Sequence, residues 1–218
     1  MWIYYFNPTI TKDMKFIVIV LILCCVIIFL GCPWKECTSP ERGYTAFHTI
    51  LNMSSFYNIG DTIWITSEMD CTNMQNLVTT TVDMFCDAKF SFPLGCVHIL
   101  DRYDRTSEGG VPKFEFIAKK GKVYNDTSIP RPEFNNQVEF TKTGSKYELL
   151  LGLVCKTEGY FYISVRPGGA FTKDHCDRAS LENLITNIDR DLSIFIDFRY
   201  PNEVTERDLR NIFSFEVK

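Results

Sequence analysis

His48, His98 and His175 are the three imidazoles of the chain, and any acid–base, metal or nucleophilic chemistry that needs one must be built around them. His175 follows Asp174 and adjoins Cys176, a grouping that could contribute to a metal or thiol site. Metal binding needs three or four converging ligands, and the local sequence offers no second set. His175 therefore reads as a loop residue beside a disulfide cysteine. A serine or cysteine hydrolase needs its nucleophile near a His and an acid. Ser107-Glu108-Gly109-Gly110 has a serine beside paired glycines, but it lacks the nucleophile-elbow spacing and reads as a turn. Pro167-Gly168-Gly169 is the same kind of loop. Among the acids, Asp189 and Asp191 would share one face of an extended strand, with Asp197 nearby. Calcium asks for six or more oxygens at a regular loop spacing, which this stretch lacks, so it reads as a solvated acidic turn. The sequence names no catalytic residue, no metal ligands and no cofactor.

The cysteines say more. There are nine. Cys24 and Cys25 lie in an apolar run and read as small hydrophobes. Cys32 closes that run and is treated below. The remaining six, Cys37, Cys71, Cys86, Cys96, Cys155 and Cys176, are disulfide candidates if the domain is exported. Six cysteines allow 15 pairings, and spacing does not choose among them. None forms a CxxC, which argues against a thioredoxin-like motif or a zinc ribbon. Two states stay open: up to three structural disulfides, or some cysteines buried as free thiols.

Phe16 to Gly31 reads FIVIVLILCCVIIFLG without a charge, and Lys15 precedes it. A basic start, an apolar stretch and a small residue are the parts of a secretory signal. Met14 makes a better translation start than Met1, because MKFIVIV is how such signals begin. Phe29-Leu30-Gly31-Cys32 resembles a bacterial lipobox, in which the chain is cut before the cysteine and its thiol is acylated. Gly31 and Cys32 match, Leu30 is tolerable, and Phe29 stands where Leu is usual. The alternative is an uncleaved anchor helix, for which the run is short against the roughly 20 residues of a span. Lys12 and Lys15 set the same orientation either way. The expected layout is a signal or anchor over residues 1–31, a tether over 32–43 and an exported domain over 44–218.

That domain reads as mainly β. Strands are expected over 61–67, 96–100, 113–119, 137–142, 147–155, 159–165, 192–200 and 212–217, from alternation and β-branched or aromatic content. Lys120-Gly121 suggests a hairpin between 113–119 and the strand after it. The short link 156–158 suggests that 147–155 and 159–165 are antiparallel neighbours. Two helices are expected, Ala179 to Ile188 after an Asp177 cap and Thr205 to Asn211. The first carries Leu181, Leu184, Ile185 and Ile188 at helical spacing, and would cover the doubly apolar 147–155 strand. An antiparallel β-sandwich with short C-terminal helices follows. An Ig-like topology is one option within that class, with Trp64 as its loosely matching core tryptophan.

Tyr57 to Asp70 (YNIGDTIWITSEMD) and Gly144 to Val165 (GSKYELLLGLVCKTEGYFYISV) resemble phrases of uncharacterised surface lipoproteins of the Bacteroidetes. The resemblance implies a cell-envelope location and no particular chemistry. Surface-exported members tend to carry acids soon after the lipidated cysteine, whereas here Pro33-Trp34-Lys35-Glu36 follows, which leaves the leaflet open. In such a bacterium the sequons at Asn52 and Asn125 are coincidental; in a eukaryote they would mark exposed loops of a secreted protein.

A formal charge of -4 gives no basic footprint for nucleic acid. Aromatic content of 14% supports a substantial core rather than disorder. The sequence reading is thus an envelope lipoprotein, membrane-held through Cys32 or the anchor. Its sandwich domain would bind a protein or glycan partner or serve a structural role. The alternative is an envelope hydrolase of glycan or peptide whose residues meet only in the fold.

Overall fold

A computed structural model describes residues 41–125, 131–172, 177–187, 194–195 and 209–218. The signal segment, Cys32, Cys37, His175, Cys176 and the acids at 189, 191 and 197 lie outside the described residues. Among the described residues no helix is long and apolar enough to cross a membrane.

The chain forms strands β1 (Gly43–Ile50), β2 (Phe56–Tyr57), β3 (Thr62–Asp70), β4 (Met74–Gln75), β5 (Val82–Asp83), β6 (Ala88–Asp101), β7 (Thr106–Gly109) and β8 (Phe114–Lys120). These are followed by β9 (Lys122–Tyr124), β10 (Asn135–Glu139), β11 (Thr141–Thr143), β12 (Lys146–Cys155), β13 (Gly159–Val165), β14 (Gly168–Thr172), β15 (Arg178–Ile185) and β16 (Ile212–Val217). Hydrogen bonds run continuously in the order β11-β12-β3-β1-β15-β14-β6-β13-β16-β2, within a sheet of 14 strands. This sheet turns back on itself. Phe90 of β6 meets Tyr147 of β12 at 4.7 Å, and Phe114 of β8 meets Phe161 of β13 at 5.1 Å. Strands β12, β3, β1, β15 and β8 therefore form one layer, and β14, β6, β13 and β16 face them across the core. The 14-residue β6 is the spine of the second layer. It has β10 and β7 along one edge and β14 and β13 along the other.

Burial explains the arrangement. Phe90, Phe92, Leu94 and Cys96 alternate into the core from β6, opposite Tyr147, Leu149, Leu151 and Leu153 of β12. Inward residues repeat every second position because the pleat has that period. A second cluster lies on the far side of β6 and β13. There Val97, Ile99, Tyr162 and Ile212 pack against Ile194 and Phe195.

Several expectations are corrected. The sheet is mixed rather than antiparallel, since β1 pairs β15 and β16 pairs β2 in parallel. Of the helix expected at 179–188, the described residues 179–187 are not helical; Arg178–Ile185 is strand β15. That stretch carries both periods, and Ala179, Leu181, Asn183 and Ile185 point inward while Leu184 is half-buried. The gap between β1 and β14 offers ladder partners on both edges, which a lone helix would forgo. Of the strand expected at 192–200, the two described residues, Ile194 and Phe195, are helical. Of the helix expected at 205–211, Leu209 and Arg210 are helical and Asn211 is not. Strands β12 and β13 are not neighbours. The link between them carries the chain from one layer to the other, so their apolar faces meet across the core instead of edge to edge.

The covered outer face of β12 also has a different origin. Trp64 of β3 stands directly opposite Gly152, and a side-chain carbon added at Gly152 would come within 2.9 Å of the indole. The ring takes the space the glycine leaves, and Lys119 lies over it at 4.4 Å. Trp64 is thus an outer-face cover, not an Ig-like core residue.

The hairpin expected around Gly121 is absent: β8 pairs β12 and β9 pairs β10. The expected 137–142 strand likewise divides, β10 joining β6 and β11 joining β12. Both crossings meet at one corner. Gly121 has φ +92, and an added Cβ would lie 2.8 Å from the Glu139 carbonyl oxygen and 2.7 Å from Leu149. Gly121→Ala is expected to cost about 1–3 kcal/mol, from left-handed strain plus the clash with backbone. Urea unfolding checks it; a loss within about 0.5 kcal/mol, the range of surface positions, would contradict this account of the corner.

Candidate functional site

Cys71 directly follows β3, and Cys86 precedes β6. They form a disulfide spanning a separation of 15 residues. Inside the closed loop β4 and β5 pair antiparallel, and the turn between them is held by Asn76 N–H donating to the Thr81 carbonyl at 2.8 Å. The fold uses Asn76, which is almost fully buried, to dock this loop on β1. Its Oδ1 accepts from the backbone N–H of Gly43 at 3.2 Å and of Val78 at 3.0 Å, and its Nδ2 donates to Asp83 at 2.9 Å. The Asp83 carboxylate also accepts from Tyr44 Oη at 3.1 Å and Thr81 Oγ1 at 3.2 Å. Arg42 Nε stands 3.8 Å away. Burial pushes the Asp83 carboxyl up, but the hydrogen bonds from Asn76, Tyr44 and Thr81, with the Arg42 charge, hold it below the usual range. The Tyr44 phenol is pushed up by burial and then by the bond to Asp83. Below the loop Arg42 lies 5.0 Å over the Phe85 ring.

This polar base presents an apolar outer side. Leu77, Val78, Val82 and Met84 are between 50% and 75% exposed, a concentration of aliphatic surface on one short loop. Two grooves flank it. One, of about 280 Å³, is lined by Phe47, Met69, Met74 and Leu77 with Glu68 and Asp70 at its rim. The other, of about 540 Å³, runs past Leu77 toward Pro167, Leu181 and Arg210. Among the described residues neither lining contains a histidine or a cysteine. The arrangement suits shape-and-apolar recognition.

The residues singled out in the sequence are dispersed. His98 Nδ1 lies 2.9 Å from Glu108 Oε1, to which Lys113 Nζ also donates at 2.8 Å. Those donors hold the Glu108 carboxyl below its ordinary range. A His–carboxylate pair is the orienting part of a catalytic triad, but the other ring nitrogen faces Gly159 so closely that an added Cβ would sit 2.4 Å from Nε2. Ser107-Glu108-Gly109-Gly110 is not a turn; Thr106–Gly109 is strand β7. Gly168 and Gly169, expected in a loop, begin β14. Among the described residues no group of three or more His, Cys, Asp or Glu could hold a metal ion. Of the disulfide candidates that are described, Cys71 and Cys86 pair, while Cys96 and Cys155 are free and buried. Burial pushes these two thiols up to about 12 and about 11, so they behave as inert core residues.

His48 is fully buried, between the rings of Phe92 at 4.8 Å and Phe140 at 6.1 Å. Asn183 Nδ2 donates to the carbonyls of Arg166 at 2.8 Å and Leu181 at 3.4 Å. Its Oδ1 therefore accepts from His48 Nε2 at 2.9 Å, which assigns the proton to Nε2. Nδ1 has no partner among the described residues. Burial lowers the imidazole from 6.5 to about 4, only partly opposed by the Asn183 bond. Protonation then favours the unfolded chain, whose imidazole is ordinary. The contribution is intact above pH 6.5 and is lost as pH falls toward 4, a loss of about 3 kcal/mol. Urea midpoints measured from pH 7 to 4 should fall more steeply for the natural chain than for His48→Gln; equal slopes would refute it.

Sequence reasoning did not find the loop site. The one signal was the run Asn76-Leu77-Val78 to Val82-Asp83-Met84 enclosed by two cysteines. No family model and no curated protein matches the chain. Among solved structures it is similar to the reeler domain of human F-spondin, at 12% identity and a TM-score of 0.31 over 70% of this chain and 94% of that one. It is also similar to a cohesin module from a family 33 glycoside hydrolase of Clostridium perfringens, at 8% identity and 0.29, over 64% and 98%. Scores this low carry no functional argument.

Proposed function

We propose that the β-domain is a non-catalytic binding module of the cell envelope, held to a membrane through Cys32 and recognising a protein or glycan partner with the 71–86 loop. The observation that carries the reading is the display of Leu77, Val78, Val82 and Met84 on a loop that is closed by a disulfide and docked by Asn76 and Asp83. Ordering such a loop in advance lowers the entropy lost on binding. A cluster of exposed aliphatic side chains on a pre-ordered loop suits this role.

Photo-cross-linking residues placed at Val82 and Met84 in intact cells should give a discrete adduct. The same residue at Tyr103, at the other end of β6, should not. Equal labelling from all three positions would remove the loop from the proposal. For the anchor, mass spectrometry of the membrane fraction is expected to find an acylated N-terminus at Cys32, and Cys32→Ala should release the protein. Recovery of residues 14–31 on the mature protein would exclude the lipobox.

A further inference from the structure

Strand β8 is an open edge. Along its inner side Phe114–Lys120 pairs with β12, and among the described residues no other hydrogen-bonded ladder involves it. From Glu115 to Lys120 every residue except Phe116 is exposed, Ala118 included although it shares the inward register of Phe116. Half of the backbone N–H and C=O groups of such a strand point away from its neighbour, and an edge of this kind is a template for a further strand. Native edges are often blunted by lysines and bulges. Here the bulge and the paired lysines sit at the far end, where the register slips between Leu150 and Leu151 opposite Lys119.

The charges on this edge are self-complementary. Its outer row is Glu115, Ile117 and Lys119. An antiparallel copy of the same strand, centred on Ile117, sets Glu115 of each chain against Lys119 of the other and Ile117 against Ile117. Directly opposed residues of antiparallel strands share a face, so both charge pairs lie on the outer surface, flanking an apolar contact. A centre one residue either way opposes Lys119 to Lys113 or to Ile117, and parallel pairing opposes like to like. Most neighbouring cations already have acids in their own chain: Lys113 with Glu108, Lys120 with Glu148, Lys122 with Glu139. Lys119 instead lies over Trp64 and has no ion pair among the described residues, so it has an opening for an incoming carboxylate. Glu115 has Lys156 at 3.0 Å, with both side chains at least half exposed.

We propose that two copies of this chain associate through β8, antiparallel and centred on Ile117, to make one sheet across a two-fold axis. Such an isologous contact closes on itself and covers the edges that would otherwise recruit foreign strands. The inference is independent of what the 71–86 loop binds.

The full chain, kept in density-matched detergent, should sediment as a dimer at micromolar concentration. Glu115→Lys and Lys119→Glu should each weaken the dimer by about tenfold or more, since each reversal turns two attractive cross-strand pairs repulsive. The double exchange should restore it. A cysteine introduced as Ile117→Cys should cross-link the two copies on mild oxidation, whereas Glu139→Cys should not, and this readout holds even if a charge variant folds poorly. A monomer at all concentrations, a dimer indifferent to both reversals, or equal cross-linking from both cysteine positions would each overturn the proposal.

Discussion

Phe161→Ala is expected to cost about 3–5 kcal/mol, the range for truncating a fully buried phenylalanine. Phe161 is 0% exposed at the centre of β13, and its ring touches both layers. It stacks on His98 at 4.5 Å and Phe215 at 5.8 Å on its own side, and meets Phe114 of β8 at 5.1 Å across the core. Removing it empties the junction between layers, and strands hydrogen-bonded on both edges cannot collapse into the gap without breaking their ladders. Urea unfolding should show the loss with little change in m. A cost near that of a surface site, within about 0.5 kcal/mol, would mean the two layers do not meet as described. Leu184→Ala is the natural contrast. Had 179–188 been a core-covering helix, it would have ranked with Phe161; on β15, where Leu184 is half-buried, it should cost clearly less.

The second large effect concerns the bridge from Cys71 to Cys86. Replacing both with serine should destabilise the domain by about 3 kcal/mol, the closure entropy of a loop of roughly 15 residues, within the 2–5 kcal/mol seen for native bridges. The loss should also reach the loop itself. Asn76 and Asp83 would still dock on Gly43 and Tyr44, but the ends of the loop would be free to separate. Cross-linking from Met84 should therefore fall more than the folded fraction does. Identical unfolding midpoints with and without a reductant would show that the bridge contributes nothing.

Much of the secondary structure was legible because burial on one face imposes a period of two. The runs at 147–155, 159–165 and 212–217 lie within strands of the structure, and that at 61–67 does so from Thr62 onward. Residues 179–185 were misread for a definable reason. Leu181, Leu184 and Ile185 satisfy the helical spacing, while Ala179, Leu181 and Ile185 satisfy alternation, and a short window holds too few residues to separate the two periods. The parallel ladder with β1 decides the matter, and its partners lie more than 130 residues earlier in the chain.

Pairing was the least legible feature. Lys156-Thr157-Glu158 is short enough for a hairpin, and equally short enough to cross from one layer to the other. Only the apolar face of β13, seated opposite β12, selects the crossing. Cysteine pairing was equally closed to inspection, since the choice among 15 pairings depends on which side chains the fold brings within bonding distance. The same holds for the candidate site. Asn76 and Asp83 are ordinary loop residues in sequence, and they become the base of the exposed aliphatic loop only because Gly43 and Tyr44 lie beneath them.

The linear chain by itself determined the β-class, the apolar N-terminal run and the absence of a recognisable catalytic motif, because each follows from composition and local period. Which strands pair, which cysteines join and which apolar residues remain outside were decided only by the tertiary structure. These depend on contacts between distant segments, and a local window carries no record of which distant edge or face will be available to meet it.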